Sequence, residues 1–204
     1  MKHPILLLAV LAGLSPAFLG ACGSGGDSSD DDSSTGGAGT DVPSGTGGGD
    51  STVTPTSALV GQLMINEAMP SNQTTVLDEG GGSADWLEIY NATGADIDVG
   101  GMYVSDNADD LVKGPLAAGL IVPAGGVLLL WADSDVEQGD LHLPFNLSAA
   151  GEMVILSDTE GNVVDFVEYG AATSDTSLAR VPDGTGDFVW CTSATPNALN
   201  GDSC

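Results

Sequence analysis

The chain has 204 residues, with 29 Asp or Glu against three Lys or Arg, a formal net charge of −26 at pH 7 and 42% hydrophobic residues. That balance makes nucleic acid and anionic membrane surfaces poor partners and leaves cations or basic protein patches. It also keeps an exposed protein soluble.

Lys2 and His3 form a minimal basic start, and Ile5 to Leu14 is an almost unbroken apolar run. The run is shorter than the roughly 20 residues of a membrane span, and Pro16 breaks any helix just after it. The segment Leu19-Gly20-Ala21, with small residues at its last two positions, then precedes Cys22. The order resembles a bacterial lipoprotein signal, with residues 1–21 removed and Cys22 carrying the lipid. An ordinary secretory signal, cut with no lipid added, is the alternative. The resemblance implies a diacylglyceryl thioether on Cys22, usually with a further acyl chain such as palmitate. Each buried CH₂ is worth roughly 0.8 kcal/mol, so two or three chains hold the protein to a membrane where one would not. Gly23 stands where an inner-membrane retention aspartate would be, which points to the outer membrane of the cell envelope.

From Cys22 to Ser57 the chain is nearly all Gly, Ser, Thr and Asp, with Val42 and Val53 its only large aliphatic residues. Such a stretch buries too little apolar surface to offset its ordering entropy and is expected to be a disordered tether. As a flexible coil it spans about 30 Å. Asp30-Asp31-Asp32 reads as a solvated cluster within it rather than a metal site.

Residues 58–204 are long enough for one domain with a real core. Once the leader is gone, Lys113 and Arg180 are the only Lys or Arg left. Cys191 and Cys204 are an even pair in an exported chain and read as a disulfide, with two free thiols as the alternative. A bridge closing a loop of about 14 residues is worth about 3 kcal/mol and would pin the C-terminal tail to the last strand.

Short apolar or alternating runs, divided by Gly, Pro, Asn and Asp, indicate an all-β sandwich. Strands are expected at Leu63 to Ala68, Asp85 to Asn91, Met102 to Ser105, Val127 to Ala132, Met153 to Ser157, Val163 to Tyr169, Ser177 to Arg180 and Phe188 to Thr192. In the second, Leu87 and Ile89 face one way, and Trp86, Glu88 and Tyr90 the other. Val127 to Trp131 is apolar throughout and should be covered on both faces. Val122 to Gly126 reads as a turn entering it. Asp158 to Asn162 reads as a hairpin turn in which Gly161 supplies a positive φ. Only short helical turns are expected, for example around Ser148 to Gly151.

These motifs together resemble the lamin tail domain, an immunoglobulin-like β-sandwich. The resemblance begins at Ile65-Asn66-Glu67-Ala68 and Asp85-Trp86-Leu87-Glu88-Ile89-Tyr90-Asn91. It continues through Val99 to Asp106, Ile121 to Gly126, Trp131-Ala132-Asp133, Leu141-His142, Phe145 to Ser148, Gly151-Glu152 and Val164-Asp165. It ends at Arg180 to Gly184 and Thr195-Pro196-Asn197. The segment Val76 to Ala84 lengthens the loop before the Asp85 strand. The resemblance implies an accessory or binding module with no catalytic residues to carry over, and fold alone is a weak warrant for function.

The mature chain has one histidine, His142, and no serine in a nucleophile-elbow context, so a Ser-His-Asp site finds no support. Paired carboxylates serve glycosidases, but in a chain this acidic chance pairs are expected. Glu67 and Glu88 lie inside apolar strand motifs and are expected to face outward or to cap backbone amides of a neighbouring loop. Asp133, Asp135, Glu137 and Asp140 alternate along one loop and form a candidate Ca²⁺ site, with Asp106, Asp109 and Asp110 as a second acidic loop. A solvated acidic loop is the plainer reading of both. The sequence therefore predicts a non-catalytic interaction module, lipid-anchored to the cell envelope, that binds an envelope protein or a polysaccharide. A surface-coat spacer without a ligand is the alternative, and a hydrolase the third.

Overall fold

A computed structural model describes residues 53–204. The leader, Cys22 and the tether up to residue 52 lie outside the described residues. All regular structure among the described residues is strand. In chain order the strands are β1 (Leu63–Met69), β2 (Asp85–Asn91), β3 (Ile97–Asp98), β4 (Tyr103–Ser105), β5 (Gly114–Pro115), β6 (Ile121–Val122), β7 (Val127–Ala132), β8 (His142–Leu143), β9 (Glu152–Ser157), β10 (Val163–Tyr169), β11 (Ser177–Val181) and β12 (Asp187–Cys191). A six-stranded sheet runs β12-β11-β1-β2-β7-β8, a four-stranded sheet β10-β9-β4-β5, and β3 pairs with β6.

Each expected strand forms, within a residue or so at its ends. The four two-residue strands escape prediction because two residues cannot show a period of two. Ile121 and Val122 pair with Ile97 and Asp98 before the Pro123 to Gly126 turn begins. At Ser148 to Gly151 there is one turn, closed by Gly151 N–H on Ser148 C=O at 3.1 Å, and no helix. Gly161 takes φ 81° in the β9–β10 hairpin, as its turn requires.

Alternation fills a main core between the two large sheets. Leu63, Ile65 and Ala68 of β1, Leu87 and Ile89 of β2 and Leu130 of β7 meet Val104, Val154, Leu156, Val164 and Val167. The opposite faces carry smaller clusters. Met69, Trp86, Leu129 and Trp131 pack beneath Val76, Leu141 and Ala194 on the outer face of the six-stranded sheet. β7 is thus covered on both faces. On the four-stranded sheet Val53 joins Ile155 and Val163, while Thr56 and Ser57 donate to Val163 C=O at 2.8 and 3.0 Å. Residues 53–57, assigned to the tether from sequence, therefore pack onto the domain, because Val53 finds an apolar site that its polar neighbours do not advertise.

Candidate functional site

The outer face of the six-stranded sheet holds a pair of buried carboxylates, Glu67 and Glu88, with Asn66 and Asn200 buried nearby. The β1–β2 register shifts between Ile65 and Glu67. Such a bulge inserts one extra residue. It places two consecutive polar residues, Asn66 and Glu67, where alternation allows one, while Ile65 and Ala68 both stay in the main core. Glu67 then sits directly opposite Glu88 of β2. Both are fully buried.

The C-terminal tail lies over this pair. Thr195 N–H donates to both Glu67 oxygens at 3.2 Å, and Thr195 Oγ1 donates to Oε2 at 2.8 Å. Asn197 N–H donates to Glu88 Oε1. The other Glu88 oxygen, Oε2, has no partner. Burial pushes the Glu88 carboxyl up to about 8, and the nearby Glu67 and Asp183 charges add to the rise. Burial also raises Glu67, against the Thr195 hydrogen bonds that lower it. The pair therefore holds a proton at neutral pH.

A second polar network fixes the end of the tail. Asp183 accepts from Asn66 Nδ2 (2.8 Å), Asn200 N–H (2.8 Å) and Gly201 N–H (2.9 Å). Asn200 Nδ2 donates to the carbonyls of Asn66 (3.0 Å) and Arg180 (2.9 Å). The Cys191–Cys204 disulfide, with Cα atoms 5.3 Å apart, closes the loop. Capping of backbone amides by Glu67 and Glu88 is thus observed, but neither side chain meets solvent, so the outward-facing alternative does not hold. Fully covered, the two carboxylates offer no surface to a substrate.

His142, on β8, lies at the end of the sheet. Its side chain is fully enclosed, with Nδ1 2.8 Å from Asp133 Oδ2 and Nε2 3.4 Å from Glu79 Oε1. Gln138 Nε2 is 3.2 Å from Nε2. Burial opposes the charged ring, but the Asp133 and Glu79 carboxylates outweigh it and hold its pKa above the usual value. The imidazole ties the Val76 to Ala84 loop to the loop after β7. No serine or cysteine among the described residues hydrogen-bonds to it.

The acidic loop does not gather around a common point. Asp133 Oδ1 accepts from Asp135 N–H at 3.0 Å, and its Oδ2 serves His142. Asp135, Glu137 and Asp140 are exposed. In the second loop the Asp106 carboxylate is held by Lys113 Nζ at 2.6 and 2.8 Å. Among the described residues, no group of three or more His, Cys, Asp or Glu side chains comes together in a way that could hold a metal ion.

Arg180, one of the two Lys or Arg residues outside the leader and part of the Arg180 to Gly184 motif, joins the two sheets. Its Nη2 reaches both Asp165 oxygens on β10 at 3.1 and 3.0 Å, its Nε donates to Ile65 C=O at 2.9 Å, and its guanidinium lies 4.2 Å from the Phe188 ring. Asp175 was missed altogether. It adopts φ 56° and accepts from the backbone amides of Gln73 and Thr74, each at 2.8 Å, which holds its carboxyl well below the usual range. No sequence signal marks it, because its partners lie some hundred residues away. Asn66-Glu67 did carry one: two polar residues in succession inside an apolar strand are the mark of a bulge.

Residues 56–171 match the Lamin Tail Domain, a span that runs from before β1 to just past β10 and leaves β11, β12 and the tail beyond it. No curated protein matches the chain.

Proposed function

From the premise that the chain belongs to the lamin tail domain family, we propose that it is a non-catalytic interaction module displayed at the cell envelope. Cys22, after the Leu19-Gly20-Ala21 segment, carries the lipid, and the stretch that follows spaces the domain from the membrane. The partner is an envelope protein or polysaccharide. One observation carries the reading of the domain. The buried groups that could do chemistry are committed to holding loops: Glu67 and Glu88 to the tail amides, His142 to two loops, and Cys191 to Cys204.

The anchor is tested by Cys22→Ala, which is expected to abolish metabolic lipid labelling and to leave an uncleaved or released protein. Normal processing with unchanged membrane retention would overturn it. The module is tested by cross-linking on intact cells, where a specific, saturable partner is expected. Turnover of an envelope polymer that is lost in His142→Ala would favour a hydrolase instead.

A further inference from the structure

Sheet edges are where a sandwich is exposed to pairing with another chain. Among the described residues, β3, β5, β6 and β8 are two residues long and offer too little backbone to template a strand. β10 is longer, but Thr56 and Ser57 already bond to its first carbonyl and Val53 packs against Val163 beside it. β12 differs. It ends the six-stranded sheet, and no described backbone pairs with its outer side. After Asp187 it reads Phe188-Val189-Trp190-Cys191, with no charge, proline or bulge to guard it. Val189 and Trp190 point to opposite faces, and each is 41% exposed. Tyr169 meets the Trp190 ring edge-on at 6.3 Å and steadies it.

Charge decides what such an edge would take. Both described Lys and Arg residues are spent internally, Lys113 on Asp106 and Arg180 on Asp165. The described surface therefore offers no unpaired Lys or Arg to an incoming chain. Asp187 opens the strand, and Asp202 lies two residues from Cys204, which is bonded to Cys191 at the strand's other end. A second copy of the chain would bring like charge to both ends.

We propose that β12 is a docking edge that takes an extended, lysine- or arginine-bearing segment of a partner protein as an added strand. Main-chain hydrogen bonds supply the affinity, and Val189 and Trp190 contact alternate side chains of the incoming strand. Its basic side chains meet the acids at each end. This deepens the interaction-module reading and rests on it.

The test uses the full chain and a fluorescent peptide of alternating lysine and valine. Saturable binding is expected. Val189→Lys should weaken it at least about tenfold, the equivalent of 1.4 kcal/mol. Val112→Lys, the same charge change at another exposed valine, should change it far less. A peptide of equal charge interrupted by proline, which lacks the N–H that a ladder needs, should bind at least about tenfold more weakly whatever the variant's stability. Equal losses in both valine variants, or equal binding of the proline peptide, would reduce the effect to general electrostatics and overturn the proposal. So would a concentration-dependent dimer that Val189→Lys abolishes, since a second copy would then own the edge. On cells, capture of the same partner by wild type and Val189→Lys would reject the edge and leave the module standing. A chain that captures no partner in either form would reject the module itself.

Discussion

Glu88 sits wholly out of water opposite Glu67, with one oxygen on the Asn197 amide and the other unpartnered. Its folded pKa of about 8 lies above the ordinary 4.5. The sign is therefore the reverse of a salt-bridged carboxylate. Between those two values the folded state binds the extra proton, so stability falls as pH rises across that window. By pH 9 the loss is on the order of a few kcal/mol. Glu88→Gln keeps an acceptor for Asn197 and cannot ionise. It is expected to raise the melting temperature at pH 8 to 9, to change it little near pH 5, and so to flatten the pH profile. A variant whose profile stays as steep as wild type would show that Glu88 is not the titrating group.

At the scale of elements, the tail completes the sheet's outer face. It brings Ala194 onto the Trp86 and Trp131 cluster and its amides onto the buried carboxylates. The disulfide, 13 residues apart in sequence, makes that docking local in the unfolded chain. Cys191→Ser with Cys204→Ser should cost about 3 kcal/mol, a fall of roughly 10 °C in melting temperature for a domain of this size. Amide exchange should accelerate at Thr195 and Asn197 before it does so in β1 and β2. If both segments exchange together, the tail and the sheet open as one unit.

For the whole molecule, the buried ionisable groups pull in one direction. Burial raises Glu67, Asp85 (to about 6), Glu88 (to about 8), Glu152 and Asp165. Each favours the folded state less as pH rises through its own window. His142 has the same sign: its raised folded pKa gives stability that is complete below the ordinary 6.5 and lost as pH rises through the folded value. Asp78, Asp158 and Asp175 are lowered instead, and their contribution fades only as pH falls below the ordinary 3.8. The net charge of −26 adds self-repulsion at high pH. Thermal unfolding followed across pH is therefore expected to peak near about pH 5 and to decline toward pH 9. A melting temperature that climbs steadily from pH 5 to 8 would contradict this ledger of buried groups.

Local pattern was enough for the long strands. Asp85 to Asn91 alternates in sequence, and its side chains alternate in space, because the pleat makes side-chain direction a property of neighbouring residues. The turn at Gly161 was readable for the same reason, and parity of cysteines foretold the disulfide. The Glu67–Glu88 pair was not readable. It depends on a bulge that sets the register between two strands, and on a tail more than a hundred residues away that excludes water from both carboxylates. Whether Glu88 is a solvated surface acid or a buried proton carrier turns on that cover. Desolvation is a property of what surrounds a group, and only the tertiary structure supplies the surroundings.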